Sequence, residues 1–372
     1  MSRLFTPIRL GGVEIDNRIV VAPMCQYSAI DGVPQPWHAQ HLGSLSLSGA
    51  GLVVVEATAV EAIGRITPRD TGLWNDAQEQ AFAALLKGFR SYTPARFGIQ
   101  LAHAGRKAST HAPWIERGAP LKPEEGAWTT VAPSPLPFAE GWPAPEPLDE
   151  AGMARVRDAF VQAAARADRA GFDLVELHAA HGYLLNEFAS ALANQRTDAW
   201  GGALQKRLRF PLEVAEAVRA VWPRTKVLGV RLNGSDWAEG GITPDDAAAF
   251  SRELKALGCD YVHVSSGGLV PWAKIPGGQP GYQVPFAAKV KADVEDLPVI
   301  AVGMITDARQ AEAILQENQA DMVALARALL DDPRWGWRAA DRLGAPSPTP
   351  VQYERAGKKT WAGYAHAHHE LD

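Results

Sequence analysis

Short apolar runs bounded by Gly, Pro or charge recur along the chain, and between them apolar positions return every three to four residues. The first pattern reads as buried strands and the second as amphipathic helices. On this reading strands lie at 18–22, 52–56, 97–101, 172–177, 227–232, 261–265, 299–303 and 322–326. Helical spacing fills 38–48, 76–90, 148–170 and 207–221. Another helix opens at Thr243-Pro244-Asp245-Asp246, with Thr as the cap, Pro in the first turn and Asp at the reciprocal position. Eight strands alternating with helices imply a parallel sheet with crossover connections. Eight is also the number that closes a (β/α)8 TIM barrel, which takes about 250 residues before insertions. An open doubly wound sheet would carry a Gly-rich turn after its first strand, where this chain has Pro23-Met24-Cys25-Gln26-Tyr27. The expected fold is therefore α/β: one (β/α)8 barrel over residues 1–345, then an extended arm and tail over 346–372.

One stretch breaks the alternation. Residues 111–147 hold nine of the 27 prolines together with Trp114, Trp128 and Trp142. The stretch leaves from the C-terminal end of the third strand, which in a barrel is the catalytic face, so a lid or wall over the site is expected.

Composition narrows the function. The chain has 37 basic and 42 acidic residues, a net charge of −5, and no run of like charge, which gives no support for nucleic acid or an anionic membrane as partner. No apolar run approaches bilayer length, and the first residues carry no apolar signal core, so a cytoplasmic location is expected. Two cysteines, Cys25 and Cys259, are too few for a disulfide framework or an all-cysteine metal cluster. Cys259 reads as buried packing.

Candidate chemistry collects where the fourth strand stops, at His178, His181 and Tyr183. Taken singly, each ring reads as a satisfied loop or core residue. Three at one strand end read better as a donor cluster: two imidazoles that hold an oxygen as it becomes electron-rich, beside a phenol able to give up a proton. The other strand ends add Cys25 and Tyr27, Ala57, Gln100 and Lys107, Arg231, Ser265, Gly303, and Ala326-Arg327. The last two strand ends commonly hold a phosphate in barrels, through backbone N–H groups and a fork such as the Arg327 guanidinium.

Five motifs in one order resemble the Old Yellow Enzyme flavoproteins: Pro23-Met24-Cys25-Gln26-Tyr27; Gln100 through Lys107; His178-Ala179-Ala180-His181-Gly182-Tyr183; Arg196-Thr197-Asp198 with Gly201-Gly202; and Gln352-Tyr353-Glu354-Arg355. The cysteine of the first and the last tetrapeptide point to the thermophilic-like bacterial class of these ene-reductases. The resemblance implies a non-covalent FMN, lined by Pro23, Met24, Cys25 and Ala57, bonded at its pyrimidine edge by Gln100 and Arg231, and held at its phosphate by Gly303, Ala326 and Arg327. It implies hydride from NADPH or NADH, then reduction of a C=C bond conjugated to a carbonyl or nitro group. In that half-reaction His178 and His181 would hold the substrate oxygen, Tyr183 would protonate the α-carbon, and Tyr27 and Lys107 would contact the substrate. It also implies a homodimer or homotetramer in which Arg355 enters a neighbouring site. Two departures stand out: Ala326 replaces the usual Gly before the phosphate Arg, and Trp200 replaces a Tyr before Gly201-Gly202. His366, His368 and His369 in the tail read as a flexible end rather than a metal site. A phosphate-binding lyase or isomerase and a non-catalytic flavin-binding protein are the alternatives.

Overall fold

The computed structural model describes residues 2–367. His368 and His369 lie outside the described residues. Eight parallel strands close into a barrel: β1 (Ile19–Val21), β2 (Leu52–Ala59), β3 (Arg96–Ala102), β4 (Leu174–Ala179), β5 (Val227–Asn233), β6 (Tyr261–Ser265), β7 (Val299–Val302) and β8 (Met322–Leu325). Each pairs with its sequence neighbour, and β8 returns to β1. The crossovers are α1 (Pro36–Ser46), α2 (Asp76–Phe89), α3 (Glu150–Ala170), α4 (Arg209–Val221), α5 (Pro244–Ala256), α6 (Val284–Asp293) and α7 (Ala308–Gln316), and α8 (Trp335–Leu343) follows β8.

The strands are buried on both faces, as helices outside a parallel sheet require. Outward residues such as Val53, Phe97, Val175, Val262 and Val323 join the helices in one core. Inward residues at the strand starts, among them Val20, Leu52, Leu174, Val227, Ile300 and Met322, form a second core with Leu10 and Ile15. Those two come from a short antiparallel hairpin, Ile8–Leu10 with Val13–Ile15, which therefore plugs the N-terminal end and leaves the C-terminal end as the mouth.

The expected bounds shift for local reasons. β4 begins two residues later than expected because Gly171 ends α3 in the left-handed region and Phe172 gives its N–H to Ala167 O at 3.1 Å. It also runs two residues further, since His178 and Ala179 pair with Arg231 and Leu232. β2 passes the expected end at Glu56 through a register shift between Val55 and Ala57. The Thr243 cap forms as expected, with Asp246 N–H donating to Thr243 Oγ1 at 3.2 Å.

The Pro-rich excursion is mostly irregular, held by the Trp128 indole on Ile63 O (2.9 Å) and by a two-residue ribbon, Val131–Ala132 with Glu146–Pro147. Its Trp114 meets Tyr27 edge-on at 5.5 Å, and its Phe138 lies 4.9 Å from Lys107 Nζ, so it walls the mouth. The C-terminal segment does not stand clear of its own barrel as expected. Tyr353 packs 5.8 Å from Trp337 and under Arg334, and the Tyr364 hydroxyl bonds Asp341 on α8. Among the described residues no helix is long and apolar enough to cross a membrane.

Candidate active site

Strand alternation sends Leu174, Glu176 and His178 inward in ascending order, from core to mouth. Glu176 is fully buried and is the polar hub of the upper barrel. It accepts from Gln100 Nε2 at 2.7 Å, the Tyr261 hydroxyl at 2.9 Å and His263 Nδ1 at 3.0 Å. Arg231 sits in register between His178 and His263. Burial alone would raise the Glu176 carboxyl. Its neighbours His263, Arg231 and Tyr261 outweigh burial and hold it at about 2, so it is a carboxylate beside a buried guanidinium. Burial and Arg231 lower His263 against the pull of Glu176, and its Nδ1 donates to that carboxylate. Arg231 is itself buried, and its Nε has no partner among the described residues.

Above this hub stand the three rings. His178 Nδ1 accepts the Ala180 N–H at 3.3 Å, which assigns the ring proton to Nε2. His181 Nε2 lies 2.7 Å from Ser265 Oγ. The two imidazoles are 5.1 Å apart at 89°, and Tyr183 lies 4.9 Å from His178 at 82°. Burial first, then Arg231, lowers both imidazoles, His178 to about 3 and His181 well below its ordinary value. Burial, reinforced by Cys25 and Asp70, raises Tyr183 well above its ordinary value. At neutral pH the cluster is thus two neutral imidazoles and a protonated phenol.

The loop that carries them is clamped. His181 has φ +60°, and a Cβ on Gly182 would come within 2.4 Å of Gly268 O, so only glycine fits there. Asn233 Oδ1 accepts the His181 N–H at 3.1 Å, and Asn186 Oδ1 accepts the Gly182 N–H at 2.7 Å. Lys107 Nζ donates to His181 O and Gly268 O, both at 2.8 Å, and burial lowers it to about 8. Its ammonium is committed to this loop, which makes Lys107 a positioning residue.

The remaining expected residues spread around the mouth. Pro23, Met24, Cys25 and Tyr27 follow β1 and are half-buried; Ala57 is buried in β2. Burial, with Asp70 and Glu56 nearby, raises the Cys25 thiol well above its ordinary value, so it is no thiolate nucleophile. Burial likewise raises Tyr27. Gly303 has φ +111°, with room for no Cβ because Gln283 Nε2 would lie 2.2 Å away. Ala326 precedes a short helix, Arg327–Asp331, on which Arg327 is exposed. Arg355 is exposed on the C-terminal segment and is not brought to this chain's own cluster. Glu176, Asn186 and Asn233 were not anticipated. A carboxylate inside an apolar strand, two residues before His178, was the available signal for the first.

A model of the NADH:flavin oxidoreductase / NADH oxidase family matches residues 3–345. An NADPH dehydrogenase from Bacillus velezensis is 44% identical over 356 residues, 95% of this chain and 99% of that protein. One from Geobacillus sp. (strain WCH70) is 42% identical, covering 95% of this chain and 98% of its own. Among solved structures, morphinone reductase superposes with a TM-score of 0.75 at 30% identity, covering 93% of this chain and 91% of that one. A complex of 2-naphthoyl-CoA reductase gives a TM-score of 0.83 at 21% identity, covering 98% of this chain and 57% of that one, and shows the fold alone.

The residues present fit FMN. The buried Arg231 Nε awaits an acceptor at the mouth. Arg327 offers an exposed guanidinium at the end of β8, three strands round the barrel from Arg231.

Proposed function

The chain belongs to the NADH:flavin oxidoreductase / NADH oxidase family, the Old Yellow Enzyme group, and from that premise we propose that it is an FMN-dependent ene-reductase of activated alkenes. FMN, when bound, would supply the hydride chemistry that links NADPH or NADH to the alkene β-carbon. Pro23, Met24, Cys25 and Ala57 would line the ring. Gln100, whose amide N–H₂ is held by Glu176, would present its carbonyl oxygen to the pyrimidine edge beside Arg231. Gly303, Ala326 and Arg327 would take the phosphate. Arg231 would add positive charge where the ring gains electrons, and the Glu176 carboxylate offsets the burial of that guanidinium through space.

The observation that carries the reading is the pair of neutral imidazoles with a protonated phenol beside them. His178 and His181 donate to the substrate oxygen, and those bonds strengthen as it gains enolate character. Tyr183 protonates the α-carbon. Tyr27 and Trp114 bound the substrate from the side. A charged imidazolium pair would repel Arg231, so burial serves the reaction by keeping both rings neutral. The test is anaerobic: the purified flavin-loaded protein, NADPH and 2-cyclohexenone. NADPH should disappear one for one with formation of the saturated ketone. Absence of ketone from protein that carries FMN would refute the reading.

The same reading places the enzyme in the cytoplasm as a homo-oligomer in which the partner's Arg355 borders the substrate pocket. Arg355 is exposed in this chain, and the proline-rich 345–350 segment before it carries no regular secondary structure. Arg355→Ala should raise KM for the alkene several-fold, the loss of one charge-assisted contact, and leave FMN content unchanged. A fully active monomer by light scattering at assay concentration would remove Arg355 from the site.

A further inference from the structure

Behind Tyr183, between the upper ends of β2 and β3, lies a cavity of about 10 Å³. Its walls include Ala57, Ala59, Ala102 and Ala104, and its titratable side chains are Tyr183 and Asp70. That volume is about what one water occupies, and two polar groups are there to hold it. Asp70 is 3% exposed, and Pro68 and Arg69 before it are exposed. Its Oδ1 accepts from Thr67 N (3.2 Å) and Thr67 Oγ1 (2.7 Å), and its Oδ2 accepts from Ile66 N (2.7 Å). One position on Oδ2 remains for a proton or a water.

Tyr183 is half-buried, and once it has given up its proton it must regain one before the next turnover. We propose that Asp70 is the reservoir that reloads Tyr183 through one water in this cavity. The proposal rests on Tyr183 being the proton donor. The Tyr183 O–H bond breaks as the new α-C–H bond forms, leaving a phenolate. A proton then moves from the water to that oxygen while the Asp70 O–H bond breaks and its proton moves to the water. The Asp70 carboxylate is reprotonated from solvent. Transfer runs downhill, since the Tyr183 phenol sits far above any carboxyl in basicity. The groups facing Asp70 are Arg65, Glu56, Cys25, Tyr27 and Tyr183. Burial raises Asp70 and Glu56 adds to the rise, while its Thr67 and Ile66 donors oppose them, and the balance lies at about 7. The reservoir is therefore partly filled at neutral pH.

The flavin-loaded enzyme tests this. In Asp70→Asn, a single turnover of reduced enzyme with 2-cyclohexenone should keep its rate within about twofold, while kcat falls about tenfold or more, since only repeated turnover needs reloading. Near-ultraviolet tyrosinate absorbance should persist after the first turnover, and Asp70→Glu should recover part of kcat. Unchanged kcat in Asp70→Asn, or equal losses in single and repeated turnover with a lowered melting temperature, would overturn the reservoir. If Asp70→Asn does not fold, infrared titration of the resting wild-type protein decides: a buried carboxyl band should vanish as pH rises through about 7, and it should be kept when Glu187, a second buried carboxyl that burial raises to about 8, is replaced by Gln. No such band overturns the proposal. Full activity in Tyr183→Phe would instead overturn the donor assignment, and the reservoir with it.

Discussion

Tyr183→Phe should reduce enones about 10²–10⁴-fold more slowly than the parent, the usual worth of a positioned proton donor, while NADPH bleaches the flavin at a near-normal rate. The phenylalanine ring keeps the edge contact with His178 at 4.9 Å, so the loop and the imidazole pair should remain in place. What is lost is the hydroxyl proton. Burial, Cys25 and Asp70 hold the phenol protonated far above neutral pH, so in the parent this donor is not titrated away under assay conditions. Nicotinamide oxidation requires no proton at a substrate carbon. Stopped-flow measurement of each half-reaction separates the two steps. Equal impairment of both would make Tyr183 a packing residue.

Glu176→Leu should cost about 3–5 kcal/mol of stability, because removing one partner of a buried pair strands the other charge. The buried Arg231 would lose the through-space compensation of this carboxylate, and Gln100, Tyr261 and His263 would lose their shared acceptor. The same change should weaken FMN retention, since Gln100 would no longer be held. Glu176→Gln keeps an acceptor without the charge and should fall between the two. The pH dependence has a definite sign. A carboxyl held at about 2 in the folded protein, against an ordinary value near 4.5, contributes fully above that ordinary value and loses its contribution as pH falls toward 2. The melting-temperature gap between parent and Glu176→Gln should therefore narrow between about pH 5 and pH 2. A gap that is constant over this window, or a stable Glu176→Leu protein, would contradict the hub.

Much of this architecture was legible because its signals are local. Eight apolar runs, the Thr243 cap and the Gly171 helix end each depend on a few adjacent residues, and all appear in the barrel. His178, His181 and Tyr183 were legible because one loop carries all three. What was hidden depends on partners far apart in the chain. Glu176 looks like a polar interruption of an apolar strand until Gln100, Tyr261 and His263 are seen to converge on it. Lys107 reads as a substrate contact until its ammonium is found on two carbonyls from other strand ends. The excursion was readable as a wall by composition and position, but that Trp114 rests on Tyr27 is a tertiary fact. The C-terminal segment misled because proline content predicts extension and says nothing of the Trp337 and Arg334 surface on which Tyr353 lands.

The central claim is that the barrel mouth holds FMN through Arg231, Gln100, Gly303 and Arg327. The visible absorption spectrum of the purified protein tests it most directly, together with the flavin released on denaturation. The account predicts a yellow protein with oxidised-flavin bands and close to one FMN per chain. A colourless protein that gains no flavin absorbance when mixed with FMN and passed through a desalting column would contradict it.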